Sequence, residues 1–352
     1  MEMDDHWLAE HPDSTEEIPT LSISGYLAGE PGALDATAAQ LREISETIGF
    51  FYLEGHDVPP QVMQAAFAQS KRFHEQPLEV RRQLPKRRPK LPIGYLALED
   101  QEPVPGQPPH NLSSSYLFYM ERGPNDPVVN PEDPFRLPNV WPDWMPGFRE
   151  QVLDYYQRVE KLALKLMPLW ARALDLPADY FEPYFTNPWL SMGLTWYPPR
   201  AVSKDRVFGI KPHTDNTIMT LLTTDDVPGL AVRMPSGRWR LADPRPGAFV
   251  VNTGNSLSRW TNGRFLSTKH HVINSTGEGR YSIPTFFGAN LDAEIRCVPT
   301  CDTPEHPAEF PPITYRDLQN WYFLGDGVAE KSMGPGTKSE GKWMRESAQK
   351  PA

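Results

Sequence analysis

Apolar and polar positions near the start of the chain repeat with two different periods. Over 18–27 they alternate, which is typical of a strand, whereas over 34–48 the apolar positions recur at helical spacing. Asp35 is a residue type that caps helices, and Gly49 is one that ends them. The pattern therefore predicts a strand, then a helix capped by Asp35 and ended by Gly49.

Further along, the pattern predicts a second strand and two more helices. A buried strand is predicted over 50–56, and two consecutive prolines open a helix over 59–74. Residues 77–147 contain many prolines and no regular period, so we expect an irregular segment there. The apolar stripe over 148–176 is the longest helical pattern, and it indicates a helix packed under a sheet.

Short β-rich runs separated by turn residues fill most of the second half of the chain. We predict strands over 190–197, 217–223, 230–234, 239–241, 248–252, 271–274 and 281–287. Many short strands at this spacing favour a sandwich or a jelly roll. No glycine-rich phosphate loop occurs in the sequence, so a Rossmann or P-loop protein has no support.

Composition narrows the class of protein. Proline accounts for 39 of 352 residues, which argues against an all-helical bundle. Acidic residues outnumber Lys and Arg by 45 to 35, and the net charge of −10 repels phosphate backbones and anionic lipids. We therefore expect neither nucleic acid nor membrane as a partner. The sequence does not predict an oligomeric state.

Compartment and cysteine chemistry are predicted from the same composition. The first residues are acidic, and no apolar run approaches the roughly 18 residues of a membrane span, so we expect a cytoplasmic protein. The only cysteines, Cys297 and Cys301, are too few for a disulfide framework and lack the further ligands of a structural zinc site. We interpret both as reduced structural residues.

Three of the nine histidines, His213, His270 and His271, lie in the β region. His213 and Asp215 are two residues apart, so on a strand their side chains would point to the same side. The spacing alone is weak, because a second His-x-Asp occurs at 11–13. Two imidazoles and a carboxylate leave three metal positions open, as in non-haem Fe(II) oxygenases. Another metal, or histidines with ordinary hydrogen bonds, remain alternatives on spacing alone.

The order of short motifs narrows these alternatives. They are Pro212-His213-Thr214-Asp215, Gly229-Leu230, Gly237-Arg238-Trp239, the run 246–255, Trp260-Thr261-Asn262-Gly263-Arg264, His270-His271-Val272 and Arg280-Tyr281-Ser282. With Gly49-Phe50-Phe51-Tyr52 and Gly55-His56, this series resembles the isopenicillin N synthase-like family of Fe(II)/2-oxoglutarate-dependent oxygenases over about 17–325.

The resemblance implies a mainly β fold with flanking helices. Its core is a double-stranded β-helix (jelly roll), and a helical N-terminal region accompanies the core. We expect a flexible N-terminus over 1–16 and an N-terminal α/β region that packs on the core over 17–147. The long support helix and the oxygenase core then occupy 148–325, and 326–352 form a polar tail.

The resemblance also implies the site residues. The Fe(II) ligands of the family fall on His213, Asp215 and His270. The family residues that bind the distal carboxylate of 2-oxoglutarate fall on Arg280 and Ser282. A guanidinium can form two parallel, charge-assisted hydrogen bonds to one carboxylate. Tyr197 matches a tyrosine that often binds the same cosubstrate. A solvated strand face for Arg280 and Ser282, and a core aromatic for Tyr197, are the structural alternatives.

Three positions depart from the family pattern. Thr195 replaces an asparagine, so a second cosubstrate contact should be weaker or absent. Asn255 replaces an aspartate and His271 replaces an arginine. If that aspartate and arginine normally form an ion pair, the loss of both charges together is consistent. His271 is also an alternative metal ligand.

The implied activity is an Fe(II)- and 2-oxoglutarate-dependent oxygenase that uses O2. Such an enzyme hydroxylates, desaturates or cyclises a small organic substrate and releases succinate and CO2. One alternative is a 2-oxoglutarate-independent non-haem Fe(II) oxidase of the isopenicillin N synthase or aminocyclopropane oxidase type. Another is a non-catalytic jelly-roll binding module.

The substrate region should lie over 93–122 and near 321–323, where relatives cover the iron. The residues expected to line it in the first segment are mixed and mostly uncharged: Tyr95, Leu96, Leu98, His110, Asn111, Ser113, Ser115 and Tyr116. They favour a medium-sized, partly apolar molecule such as a secondary metabolite or an amino-acid derivative.

Overall fold

The structure is a computed structural model, and it describes residues 16–84, 93–98, 112–121, 133, 135–200, 208–274 and 276–324. The predictions for 1–15, for His110 and Asn111 and for the C-terminal tail beyond 324 lie outside these residues.

The strands are β1 (Thr20–Ser22), β2 (Phe50–Glu54), β3 (Gly94–Leu96), β4 (Ser114–Tyr119), β5 (Leu190–Tyr197), β6 (Ile210–His213), β7 (Met219–Thr224), β8 (Leu230–Arg233), β9 (Trp239–Leu241), β10 (Phe249–Thr253), β11 (His270–Val272), β12 (Arg280–Phe287), β13 (Glu294–Ile295) and β14 (Ile313–Thr314). The helices are α1 (Ser24–Leu27), α2 (Ala33–Thr47), α3 (Pro60–His74), α4 (Leu78–Arg81), α5 (Phe148–Ala173), α6 (Asn255–Trp260) and α7 (Tyr315–Leu324).

Two antiparallel sheets face each other and form the core. The larger sheet has the order β1-β2-β10-β7-β12-β5-β4-β3, and the smaller sheet has the order β6-β11-β8-β9. Every pairing in them is antiparallel except the one between β1 and β2. The prediction of a mainly β, jelly-roll core with flanking helices is therefore confirmed.

The N-terminal region differs from the sequence prediction at two points. The strand predicted over 18–27 is limited to β1, because its partner β2 ends at Glu54 and leaves the next residues without a strand to pair with. Residues Ser24–Leu27 form the short helix α1 instead. The cap of α2 is Gly32, whereas Asp35 lies in the first turn and forms an ion pair with Arg172 at 2.7 Å.

Other elements of the N-terminal region follow the prediction. Gly49 has φ +65, and its N–H donates to the carbonyl of Ile44, so α2 ends there as expected. Pro60 is the first residue of α3, and α3 ends at His74. The region 77–147 is less irregular than predicted, because β4 pairs with β5 over six residues.

In the β region, the metal motif is arranged differently from the prediction. His213 is the last residue of β6, a strand that was not predicted, and Asp215 lies in the loop that leads to β7. The two residues therefore do not share a strand. β11 begins at His270, one residue before the predicted strand, and pairs directly with His213.

Alternation along the large sheet separates an outer from an inner face. Outward residues such as Tyr95 and Tyr116 contact Phe73 of α3, and α3 in turn packs on α5. The inner face carries the remaining positions, including Ser115 on β4, Thr195 and Tyr197 on β5, Thr220 on β7, Asn252 on β10, and Arg280 and Ser282 on β12. The candidate chemistry thus lies between the two sheets.

Candidate active site

His213, Asp215 and His270 meet at the end of the small sheet. The Nε2 atoms of both histidines lie 3.6 Å from the same oxygen, Oδ1 of Asp215. One donor atom from each side chain falls within 4.8 Å of the others. Among the described residues, this is the one group of three or more His, Cys, Asp or Glu side chains that could share an ion.

The second ring nitrogen of each histidine is already bonded. Nδ1 of His213 lies 2.7 Å from the carbonyl oxygen of Lys211, and Nδ1 of His270 lies 3.2 Å from that of Thr268. A carbonyl can only accept, so both Nδ1 atoms carry the proton and both Nε2 atoms present a lone pair. This is the tautomer that a metal ligand needs.

The two carboxylate oxygens of Asp215 also have separate roles. Oδ2 accepts hydrogen bonds from Thr220 Oγ1 at 2.6 Å and from Asn252 Nδ2 at 2.9 Å. Oδ1 is the oxygen that faces the two imidazoles. The carboxylate is therefore oriented by two neighbouring strands, β7 and β10, before any ion is bound.

Burial and mutual interactions set the protonation of the three side chains. Burial raises the pKa of Asp215, but the charges of His270 and His213 and the hydrogen bonds outweigh it and hold that pKa well below its ordinary range. Burial and the neighbouring His213 lower the pKa of His270 to about 4. For His213, burial is opposed by the hydrogen bond and charge of Asp215, and the pKa lies above its ordinary value.

This donor set fits Fe(II). Two neutral imidazoles and one carboxylate on one side of an ion match the ligand preference of non-haem iron, and they leave positions open for small molecules. His213 keeps 33% of its side chain exposed, whereas His270 keeps 9% and Asp215 6%. The open side of the cluster is therefore the side of His213.

A second polar cluster lies further along the inner face. Arg280 is 1% exposed, and its Nε donates to the carbonyl of Val227 at 3.2 Å. Its guanidinium carbon stands 4.9 Å from the centre of the Tyr197 ring, and Ser282 Oγ donates to Tyr197 Oη at 3.5 Å. The structure thus brings together all three residues that the sequence assigned to the cosubstrate.

The Arg280 guanidinium is incompletely paired. Within the described part of the chain its Nη1 is buried without a hydrogen-bond partner, and the carboxylate of Asp225 acts on the guanidinium through its charge without an ion-pair contact. A buried guanidinium with an unbonded N–H group and no anion in direct contact is costly, so this position fits an anionic ligand. The distal carboxylate of 2-oxoglutarate has the matching charge and shape.

The departures from the family pattern lie outside the triad. His271 points away from His270, as neighbours on a strand do, and its ring contacts Trp239 and Phe208 at centroid distances of 4.3 and 5.3 Å. It is fully buried, and burial lowers its pKa to about 3. Asn255 donates to Thr214 Oγ1 at 3.1 Å, and among the described contacts no hydrogen bond joins Asn255 to His271.

The substrate region is only partly as expected. Tyr95 and Tyr116 face the helices α3 and α5 rather than the triad, because strand alternation turns them to the outer face. Ser115 faces inward, where its hydroxyl bonds to Thr195 Oγ1 at 2.9 Å. Tyr322 on α7 is 48% exposed as a whole, but its phenol oxygen is enclosed by protein, and burial of that oxygen followed by the charge of Asp215 raises the phenol pKa to about 12.

Two residues that orient Asp215 were not singled out by sequence reasoning. Thr220 and Asn252 are buried polar residues within the apolar strands β7 and β10. A polar side chain in a fully buried strand needs a hydrogen-bond partner. The sequence could therefore have shown that Thr220 and Asn252 each bind a polar partner, but not that the partner is Asp215.

Comparison with known proteins identifies the class. A family model described as the 2OG-Fe(II) oxygenase superfamily matches residues 186–289. A second model, described as the N-terminal part of a non-haem dioxygenase in morphine synthesis, matches residues 18–144. The sequence is 34% identical to the 2-oxoglutarate-Fe(II) type oxidoreductase hxnY of Emericella nidulans over 306 residues, 85% of this chain and 87% of that protein. Azadirone synthase LFS of Melia azedarach is 33% identical over 289 residues, 78% of this chain and 84% of that protein.

Solved structures share the fold. A putative 2OG-Fe(II) oxygenase family protein from Caulobacter crescentus is 28% identical, with a TM-score of 0.77 over 88% of this chain and 99% of that one. A full-length Neurospora crassa protein in complex with alpha-KG has a TM-score of 0.78 over 88% of this chain and 96% of that one. At 24% identity, the Neurospora crassa structure supports the fold alone.

The chain belongs to the 2OG-Fe(II) oxygenase superfamily, as the resemblance to isopenicillin N synthase-like enzymes implied. It is an oxidoreductase of the non-haem Fe(II)- and 2-oxoglutarate-dependent class, with Fe(II), 2-oxoglutarate and O2 as its cofactors and a small molecule as its substrate. No helix in the described part of the chain has both the length and the apolar character needed to cross a membrane.

Proposed function

We propose that His213, Asp215 and His270 hold the Fe(II) of this oxygenase. The observation that carries this proposal is that each side chain has one donor atom turned to a common point while its other polar atom is already bonded. Such outer contacts fix the orientation of metal ligands and the tautomer of histidine. Thr220 and Asn252 act on Asp215 in this way.

Arg280, Ser282 and Tyr197 bind the distal carboxylate of 2-oxoglutarate. The buried guanidinium supplies the positive charge, and the two hydroxyls, which already lie 3.5 Å apart, supply further donors. The alternatives for these residues were a solvated strand face and a core aromatic. The burial of Arg280, and an Nη1 that no described residue bonds, support the carboxylate site instead.

When bound, the iron and the cosubstrate supply the oxidising chemistry, in which O2 is consumed, 2-oxoglutarate becomes succinate and CO2, and a C–H bond of the substrate is oxidised. The protein orients the reactants and excludes water. Arg280 balances the cosubstrate charge, and Asp215 balances part of the charge of the metal. Phe50 packs its ring edge against His270 at a centroid distance of 5.2 Å, which shields that imidazole from solvent.

For the substrate we propose a medium-sized, partly apolar organic molecule, such as a secondary metabolite or an amino-acid derivative. Tyr322 supports this class, because it offers an exposed aromatic ring with a polar tip near Asp215. A relative named for azadirone synthesis is consistent with it. A cytoplasmic location, and an N-terminal region over 17–147 that packs on the core over 148–325, belong to the same proposal.

Anaerobic titration tests the site. Apo-protein is loaded with Fe(II) and then titrated with 2-oxoglutarate, and the weak visible charge-transfer band of the chelated keto acid is recorded. We expect a band for the wild type and for Arg240→Ala, a surface control. In Arg280→Ala the Kd for 2-oxoglutarate should rise roughly 100-fold, because a buried charge loses its partner.

The same titration distinguishes the alternatives. Iron binding without a band, together with oxygen uptake and no succinate, would favour a 2-oxoglutarate-independent oxidase. Failure to bind Fe(II) at all would favour a binding module. A candidate small molecule qualifies as substrate when it increases succinate release and is itself oxidised, and an apolar collection that never does so would contradict the proposed class.

A further inference from the structure

Four hydroxyl residues form a row across the inner face of the large sheet. Ser115, Thr195, Ser282 and Thr224 lie directly opposite one another on β4, β5, β12 and β7. Directly opposed residues on one face of antiparallel strands are close neighbours. The row therefore runs from β4, in the N-terminal half of the chain, to Ser282 in the proposed carboxylate site.

Within this row, Ser115 and Thr195 share a hydrogen bond of 2.9 Å. Two hydroxyls carry two protons, and their mutual bond uses one of them. Among the described residues neither hydroxyl has another hydrogen-bond partner, so one proton of the pair lacks a protein acceptor. Ser115 is half-buried, whereas Thr195 is only 3% exposed, so bulk water is a poor acceptor when Thr195 carries the spare proton. A buried donor of this kind is normally satisfied by a ligand or an ordered water.

The position of this donor identifies the ligand. Thr195 faces Ser282 across β5 and β12, and the neighbouring inward pair on the same strands is Tyr197 and Arg280. The unsatisfied proton of the hydroxyl pair and the unpartnered Nη1 of Arg280 thus lie on one small area of the inner face. Two donors without acceptors in one place fit a carboxylate, which has four acceptor positions.

We infer that Ser115 is a positioning residue for 2-oxoglutarate: it donates to Thr195, so that the Thr195 hydroxyl donates to the distal carboxylate. A donated hydrogen bond also polarises the second hydroxyl and strengthens the bond that it makes. The inference rests on the proposed cosubstrate site and assigns Ser115 to it rather than to the substrate region. The pair would make up for the asparagine that Thr195 replaces.

The test measures 2-oxoglutarate binding to Fe(II)-loaded protein from the charge-transfer band, without substrate or O2. We expect Thr195→Val to raise the Kd roughly 10-fold, the effect of losing a hydrogen bond to a charged group. Ser115→Ala should raise it on the order of threefold, since it acts through Thr195. The double variant should be no weaker than Thr195→Val alone, and Thr195→Ser should restore binding.

Thr223→Val is the matched control. Thr223 lies on the same sheet but on the outer face, where it shares a buried hydroxyl pair with Tyr155 at 2.8 Å. It should keep the wild-type Kd although it loses a comparable buried hydroxyl hydrogen bond. A keto acid without the distal carboxylate, 2-oxobutyrate, should bind Thr195→Val and wild type equally.

Three results would overturn the inference. One is an unchanged Kd in Thr195→Val and Ser115→Ala, which would return Ser115 to the substrate region. Another is an equal rise in Thr223→Val, which would mean a general effect on folding. Additive effects in the double variant would also contradict it. A wild-type protein without any band would instead overturn the proposed cosubstrate site, and this inference with it, so the two failures are distinguishable.

Discussion

The two ends of the inner face are completed to different degrees. At the metal end, Asp215, His213 and His270 each have a protein partner for the polar atom that does not face the common point. At the carboxylate end, no described residue accepts a hydrogen bond from Arg280 Nη1 or takes the second hydroxyl proton of the pair formed by Ser115 and Thr195. The side chains at the metal end are oriented by protein hydrogen bonds, whereas those at the carboxylate end keep donors that a carboxylate can satisfy.

The difference follows from what each ligand tolerates. A metal ion requires its ligands at fixed directions, so their orientation has to be set by the protein. A carboxylate offers several acceptor positions and a negative charge, so donors at its site do not need fixed directions before it binds. Metal affinity should therefore depend on neighbouring hydrogen bonds, whereas cosubstrate affinity should depend on charge and hydroxyl count.

The largest expected effect is at the metal end. Asp215→Asn keeps the shape of the side chain but removes the negative charge, so the affinity for Fe(II) or Co(II) should fall by at least about 100-fold. Equilibrium titration of the apo-protein measures it. Asp225→Asn is the control, because that carboxylate accepts backbone N–H groups of Val227 and Tyr281 and lies outside the triad. An Asp215→Asn variant with unchanged metal affinity would show that the ion binds elsewhere.

A smaller effect is expected from the residues that orient Asp215. Asn252→Ala removes the 2.9 Å hydrogen bond to Oδ2 and should weaken metal binding roughly tenfold. The Kd for 2-oxoglutarate, measured at saturating metal, should change much less. If cosubstrate binding fell more than metal binding, the proposed separation of the two ends would be wrong.

The smallest effect is expected from pH. Burial lowers the pKa of His213, but the hydrogen bond and charge of Asp215 and the carbonyl of Lys211 outweigh it and hold that pKa above its ordinary value, and a protonated His213 cannot bind a metal. Affinity for Co(II) should therefore be constant at high pH and fall, by at most about tenfold per pH unit, once the pH drops below that pKa. With metal already bound, His213 cannot take up the proton, so 2-oxoglutarate affinity should vary less over this range. A 2-oxoglutarate affinity that falls more steeply with decreasing pH than the Co(II) affinity would contradict this account.

The sequence predicted the strands that have strong apolar patterns and clear turn residues. β5 and β9 match their predicted bounds, and β12 differs by one residue. β6 was missed because Lys211 and Pro212 interrupt any apolar pattern, and it is stabilised by pairing with β11 about 60 residues later. Long-range pairing overrides a weak local signal at that position.

The site shows the same limit. The ordered motifs implied the three proposed metal ligands and the carboxylate residues, and the structure brings each group together. The bond between Ser115 and Thr195 joins residues 80 positions apart and exists only because β4 lies next to β5. Strand order and register decide such contacts, and neither is written in local spacing.

The central claim is that the metal end is formed in advance and the carboxylate end is completed by its ligand. An anaerobic crystal structure of the Fe(II) and 2-oxoglutarate complex tests it most directly. We expect the triad side chains to stay within about 1 Å of their present positions, with Thr220 and Asn252 still bonded to Asp215, and Arg280 Nη1 and Thr195 donating to the distal carboxylate. Loss of the contacts to Asp215, or a cosubstrate bound without Arg280, would contradict the account.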